Sequence, residues 1–158
     1  MTSDPAHPAI KIDEETNSIR IDLILPMLKY MELVAADVSE AVTKLMGFNE
    51  DHALEVSMAL IEACINAFEH SKSEDGKVYI TFHPEEDGIR IILHDRGIGF
   101  DPVTVQKQNC INPDAPFMQR RGWGLKLMET LMDEIQIHSD PCGTQITMIK
   151  RKTTSEKE

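Results

Sequence analysis

The stretch ALEVSMALIEACINAFEHS, residues 53–71, is where the fold becomes readable. Asn49 is placed to cap a helix, and Glu50 and Asp51 suit the positive end of its dipole, so the spacing predicts a helix over 50–70. That helix is apolar on most sides. Its polar residues Glu62, Asn66, Glu69 and His70 fall at i, i+4, i+7 and i+8 and share one face. A carboxylate and a carboxamide one turn apart can serve one site, the first as a base and the second as an oxygen ligand for Mg²⁺. The same spacing also describes the wet side of an amphipathic helix.

Upstream, IRIDLIL at 19–25 alternates as a strand does, and Pro26 suits a first helical position. Leu28, Met31, Ala35, Val38, Val42 and Leu45 then recur at helical spacing up to a stop at Gly47. Residues 1–18 hold two prolines and the acidic run Asp13, Glu14, Glu15, and read as a flexible arm. Downstream, KVYITFH at 77–83 and IRIILHD at 89–95 form a hairpin through an Asp-Gly turn. A long connection from Gly97 to Gly122 follows, of the kind that is usually functional. A helix over about 123–133 and a second hairpin, 135–139 with 144–151, complete the pattern, and 152–158 reads as a frayed tail. The order β-α-α-β-β-loop-α-β-β predicts one α+β domain over 19–151. It is expected as a two-layer sandwich, a mixed and mostly antiparallel sheet with helices on one face.

The 158 residues carry 16 basic and 27 acidic side chains, a formal charge of −11, which argues against direct nucleic-acid binding. No apolar run approaches the roughly 20 residues of a spanning helix, and the N-terminus lacks the order of a signal peptide. Neither a membrane nor a nucleic-acid partner is therefore expected. Cys64, Cys110 and Cys142 show no metal-ligand spacing and read as reduced thiols of a cytoplasmic protein.

Three further motifs carry chemistry. Asp95-Arg96-Gly97-Ile98-Gly99-Phe100-Asp101 follows a strand directly. Its glycines let the backbone bend and approach a ligand, and an Asp at a strand end can accept a hydrogen bond from an exocyclic amine. Arg120-Arg121-Gly122-Trp123-Gly124-Leu125 opens a helix. Exposed N–H groups and the helix dipole favour an anion there, and the arginines add donors suited to phosphate. It is not a Walker A loop. Gly143-Thr144 marks a turn leading into a strand.

In this order, E-A-x-x-N-A-x-x-H, D-x-G-x-G-F-D, R-G-x-G-L and G-T resemble the ATP-binding fold shared by DNA gyrase, MutL and histidine kinases. Within it the chain is similar to the anti-sigma-factor serine-protein kinases of the RsbW and SpoIIAB type, over roughly residues 19–151. The resemblance implies a histidine-kinase-like ATPase fold that uses ATP and Mg²⁺. It implies that Asn66 coordinates magnesium, Glu62 is the general base, and Asp95 recognises the adenine amino group. Gly97 and Gly99 would run along the nucleotide, and the backbone at Gly122 and Gly124 would meet the phosphates. Arg120 or Arg121 would be the lid arginine, and Thr144 would support adenine through water. Such kinases phosphorylate a small STAS-fold anti-anti-sigma protein on Ser or Thr, bind a sigma factor or analogous regulator, and commonly form homodimers. An ATP-gated binding module with little phosphotransfer is the alternative. A histidine-kinase catalytic domain fits less well, since the sequence before residue 19 holds no helix for a phospho-accepting His.

Overall fold

The computed structural model describes residues 9–13, 18–99 and 121–153. Its elements are strands β1 (Ala9–Asp13) and β2 (Ser18–Pro26), helices α1 (Met31–Leu45) and α2 (Glu50–His70), strands β3 (Lys77–Pro84) and β4 (Gly88–Asp95), helix α3 (Arg121–Leu131), and strands β5 (Glu134–Asp140) and β6 (Gly143–Arg151). The six strands form one sheet in the order β1-β2-β3-β4-β6-β5, with every neighbouring pair antiparallel.

Alternation decides what the helices cover. Leu23, Ile80, Leu93, Ile146 and Ile137 align in one row across β2, β3, β4, β6 and β5. Ile21, Phe82, Ile91, Met148 and Ile135 make the next row on the same face. Both rows belong to the core. Each fully buried Leu, Ile or Phe among them contributes about 1.5–3 kcal/mol of apolar burial. One step further along the strands the row is Leu25, Val78, Asp95, Thr144 and Ser139. There the helix-facing surface turns from apolar to polar. At the opposite end it turns polar again, where Pro84 and Ile89 lead to Lys150.

Helix α2 lies between α1 and α3. Small side chains let α1 approach it closely: the Ser39 and Ser57 hydroxyls stand 3.0 Å apart, and both reach the Ala36 carbonyl. Asn49 caps α2 as expected, its Oδ1 accepting from His52 N at 2.8 Å. Among the described residues no helix is long and apolar enough to cross a membrane.

The α+β architecture agrees with the expected one, and four details differ. The sheet is antiparallel throughout rather than mixed. A sixth strand, β1, lies within the stretch read as an arm and pairs with β2. Pro26 does not open α1: it ends β2 opposite Lys77, and α1 begins five residues later, behind Tyr30 in the left-handed conformation. Leu45, counted in the apolar stripe of α1, is 89% exposed, because the helix turns its Ala35 and Val42 edge to the core instead.

Candidate functional site

Glu62 and Asn66 stand one turn apart on α2, on the flank facing α3. Gly124 on α3 faces them: an added methyl group there would stand 3.1 Å from Glu62 Oε2 and 3.2 Å from Asn66 Nδ2. Glycine at 124 thus leaves open the space in front of both side chains. Burial, and then the charge of Glu69, push the Glu62 carboxyl above its ordinary range. His70 turns into the pocket beside Asn66, while Glu69 stays at the surface.

Asp95 ends β4 on the helix-facing side, directly across from Thr144 on β6. Both are buried, and Thr144 shares a 2.9 Å hydrogen bond with Ser139. Gly97 N donates to Asp95 Oδ1 at 2.9 Å, turning the chain back on itself. Ile98 N then donates to the Ser71 carbonyl at 2.9 Å, stitching this turn to the end of α2. The glycines are required by close approach: a Cβ on Gly97 would stand 1.9 Å from the Ser71 carbonyl oxygen, and one on Gly99 2.1 Å from the Asp140 carbonyl oxygen. Gly99 also has φ +73°, in the region that favours glycine. The neighbours of Asp95 point away. His94 stacks on Tyr79 at 4.9 Å on the other face, and the Arg96 guanidinium lies 4.4 Å over the same ring. Burial, and then Arg96, lower the His94 pKa.

Asn66, His70, Asp95, Gly99 and Thr144 line one pocket, with Ala63, Ala67, Leu93, Leu125 and Ile146 as its apolar walls. An apolar cleft ending in a buried carboxylate and hydroxyl suits a planar ring with an exocyclic amine. The other end, toward Gly124, carries a carboxylate and a carboxamide. Both amide atoms of Asn66 border the space that a Gly124 methyl would fill, Nδ2 at 3.2 Å and Oδ1 at 3.5 Å, and Oδ1 is a hard, neutral ligand of the kind that fits Mg²⁺, a cation that keeps few protein ligands. Among the described residues no three His, Cys, Asp or Glu side chains converge as a metal cage.

The candidate residues thus divide. Asn66, Asp95, Gly99 and Thr144 line one pocket, Glu62 and Gly124 adjoin it at Asn66, Gly97 packs on Ser71 in the turn between Asp95 and Gly99, and Arg121 and Gly122 open α3. Arg120 lies outside the described residues. Ser71 and Ser139 escaped the sequence reading, because one gives a backbone carbonyl and the other a cross-strand hydroxyl, neither marked by local spacing.

Fold and pocket together define a histidine kinase-like ATPase domain, and residues 26–150 match the family of that description. The serine-protein kinase RsbW of Bacillus subtilis (strain 168) is 33% identical over 144 residues, covering 86% of this chain and 88% of its own. RsbW of Bacillus velezensis is 34% identical over 129 residues, 77% of this chain and 78% of its own. The chain belongs to the RsbW family of serine-protein kinases. A crystal structure of the RsbU and RsbW domains of Rv1364c from Mycobacterium tuberculosis shares the fold, with TM-score 0.64 and 18% identity over 84% of this chain and 32% of that one.

Proposed function

We propose that this protein, a serine-protein kinase by family, acts as an anti-sigma factor that uses ATP to phosphorylate a STAS-fold anti-anti-sigma protein on Ser or Thr. The observation that supports this best is the pairing of Glu62 with Asn66 against Gly124, with Asn66 also lining the pocket that holds Asp95 and Thr144. In this reading Asp95 accepts from the adenine amino group, and Thr144 supports the ring through water. Gly97 and Gly99 let the backbone lie along the nucleotide. Backbone N–H groups near Gly122 and Gly124 meet the phosphates, with Arg120 or Arg121 as the lid arginine. When bound, Mg²⁺ supplies charge neutralisation on the phosphates, with Asn66 Oδ1 among its ligands.

Glu62 accepts the proton of the attacking hydroxyl. The hydroxyl oxygen forms a bond to the γ-phosphorus, the bond to the bridging oxygen breaks, and ADP leaves. Positioning does most of the work in such a transfer. A carboxylate whose proton affinity is raised by burial is a better base at neutral pH than a solvated one. The kinase also sequesters a sigma factor or analogous regulator, works in the cytoplasm and forms a homodimer.

The test uses γ-labelled ATP, Mg²⁺ and STAS-fold proteins of the same organism. Wild-type protein should label a Ser or Thr, and Glu62→Ala should lower the rate by about 10²-fold or more while still binding nucleotide. Binding without transfer to any STAS-fold protein would favour the ATP-gated binding module. Absence of nucleotide binding would overturn the proposal.

A further inference from the structure

Lys150 is 7% exposed, at the end of the sheet away from Asp95, and none of the roles above involves it. Its Nζ donates to the Leu131 carbonyl at 2.7 Å and stands 2.6 Å from Glu55 Oε2. Leu131 is the last residue of α3, and its carbonyl is one of the four that a helix end leaves without an intrahelical partner. An ammonium there also faces the negative end of the helix dipole. Glu55 lies on α2, two turns before Glu62. The buried Glu55 Oε2 accepts no well-aligned hydrogen bond, so its contact with the ammonium is ionic.

Helices α2 and α3 therefore meet at two places with the same spacing. Gly124 faces Glu62 and Asn66, and seven residues on, Leu131 is joined through Lys150 to Glu55, itself seven residues before Glu62. Each interval is two turns, about 10 Å of helix. The turn after α3 is also tied to β6, Asp133 N donating to the Ile149 carbonyl and Arg151 N to Asp133 Oδ2. Those bonds tie the end of α3 to the sheet, and Lys150 ties the same end to α2, beside the core packing of Leu125 and Met128.

Lys150 is buried while Glu55 keeps about a third of its side chain exposed, and such a pair is a poor source of stability, since desolvation of the ammonium offsets much of the attraction and an apolar side chain of similar volume often serves as well. What an ammonium adds over a methionine is a fixed geometry between three elements. We propose that Lys150 is a positioning residue for phosphoryl transfer: by clamping the C-terminal end of α3 to Glu55, it fixes how far the Gly124 end stands from Glu62 and Asn66. This rests on the kinase reading above and extends it to a residue remote from the reacting atoms.

The test compares Lys150→Met, Lys150→Arg and Glu55→Gln, well below each variant's melting temperature. The readouts are kcat, the KM for ATP, and the separate affinities for ATP and ADP. Asp95 and Thr144 do not lie on α3, whereas Leu125 and the N–H groups of its first turn do, so ADP affinity should fall by a smaller factor than kcat, which misplacement at the phosphate end should lower about tenfold or more in Lys150→Met. The ratio of ATP to ADP affinity should fall with it, which decides the matter even without a phosphorylated acceptor. Lys150→Arg should restore part of the loss. Glu55→Gln keeps the ammonium on Leu131 and should lower kcat by a smaller factor, and it stands in for Lys150→Met if that variant fails to fold. Wild-type kcat and affinity ratio in a folded variant, or an equal loss of ADP affinity and kcat, would overturn the inference and leave the kinase reading intact. A wild-type protein that binds no nucleotide would overturn both.

Discussion

Glu62 is half-buried on α2, with Glu69 two turns further along the same helix, and both facts make its ionised form costly. Its folded-state pKa is therefore raised above the unfolded value, which gives the sign of two effects. Below the unfolded value the carboxyl is neutral in both states and carries no penalty. As pH rises through and above the folded value, the penalty appears in full. Glu62→Gln, permanently neutral, should raise the melting temperature at pH 7 by about 1–3 °C and leave it nearly unchanged near pH 3. A Tm gain equal at both pH values would contradict the raised pKa. The same direction places the acid limb of kcat/KM above 4.5, the ordinary glutamate value. Glu62 and Asn66 were legible because i, i+4 spacing on one helix is local information. Lys150 and Glu55 were not, since each reads alone as an ordinary surface charge and only the fold brings them to 2.6 Å.

Elements meet at the site through backbone, and there glycine has no substitute. The turn after β4 rests on the end of α2 with the Gly97 Cα against the Ser71 carbonyl. Gly97→Ala would force backbone against backbone and break the Ile98 N to Ser71 bond. It should cost about 2 kcal/mol or more and reduce nucleotide affinity about tenfold, because the Asp95 turn must move. Asn49→Ala is the comparison at the far end of α2. Losing that cap should cost about 1 kcal/mol and leave nucleotide affinity unchanged. Calorimetry and nucleotide titration on both variants would separate the two, and equal affinity losses would show that α2 transmits any destabilisation to the pocket. The hairpins β3–β4 and β5–β6 were legible because short turns join them. The pairing of β2 with β3 bridges α1 and α2 in the chain, that of β4 with β6 bridges α3 and β5 among the described residues, and no local signal marks either. Pro26 misled for a related reason: its fixed φ suits a strand end as well as a first helical turn.

The whole molecule carries a formal charge of −11, and the sign is concentrated. Residues 28–75, which include α1 and α2, hold three positive against ten negative side chains. Asp37, Glu40, Glu50, Asp51 and Glu69 are exposed there, and Leu33, Val34, Leu54 and Met58 are exposed among them. The excess was legible by counting. That it coats one layer became visible only when the sheet order set both helices on the same face. An acidic helical layer with apolar residues set into it would steer a basic partner and then hold it by contacts that salt does not screen. If the sigma factor docks on this layer, its association rate should fall about tenfold or more between roughly 0.05 and 0.5 M NaCl, since the Debye length shrinks to a few ångströms. The dissociation rate should change much less, because the apolar contacts persist. Neutralising Asp37 and Glu40 together (Asp37→Asn, Glu40→Gln) should flatten the salt dependence while leaving Glu62, Asn66 and the transfer rate to the proposed STAS-fold substrate untouched. Stopped-flow association of the wild-type and neutralised proteins across salt would decide the matter. A rate indifferent to salt in the wild type would mean that the partner docks elsewhere, and that the acidic layer serves only to keep the protein soluble.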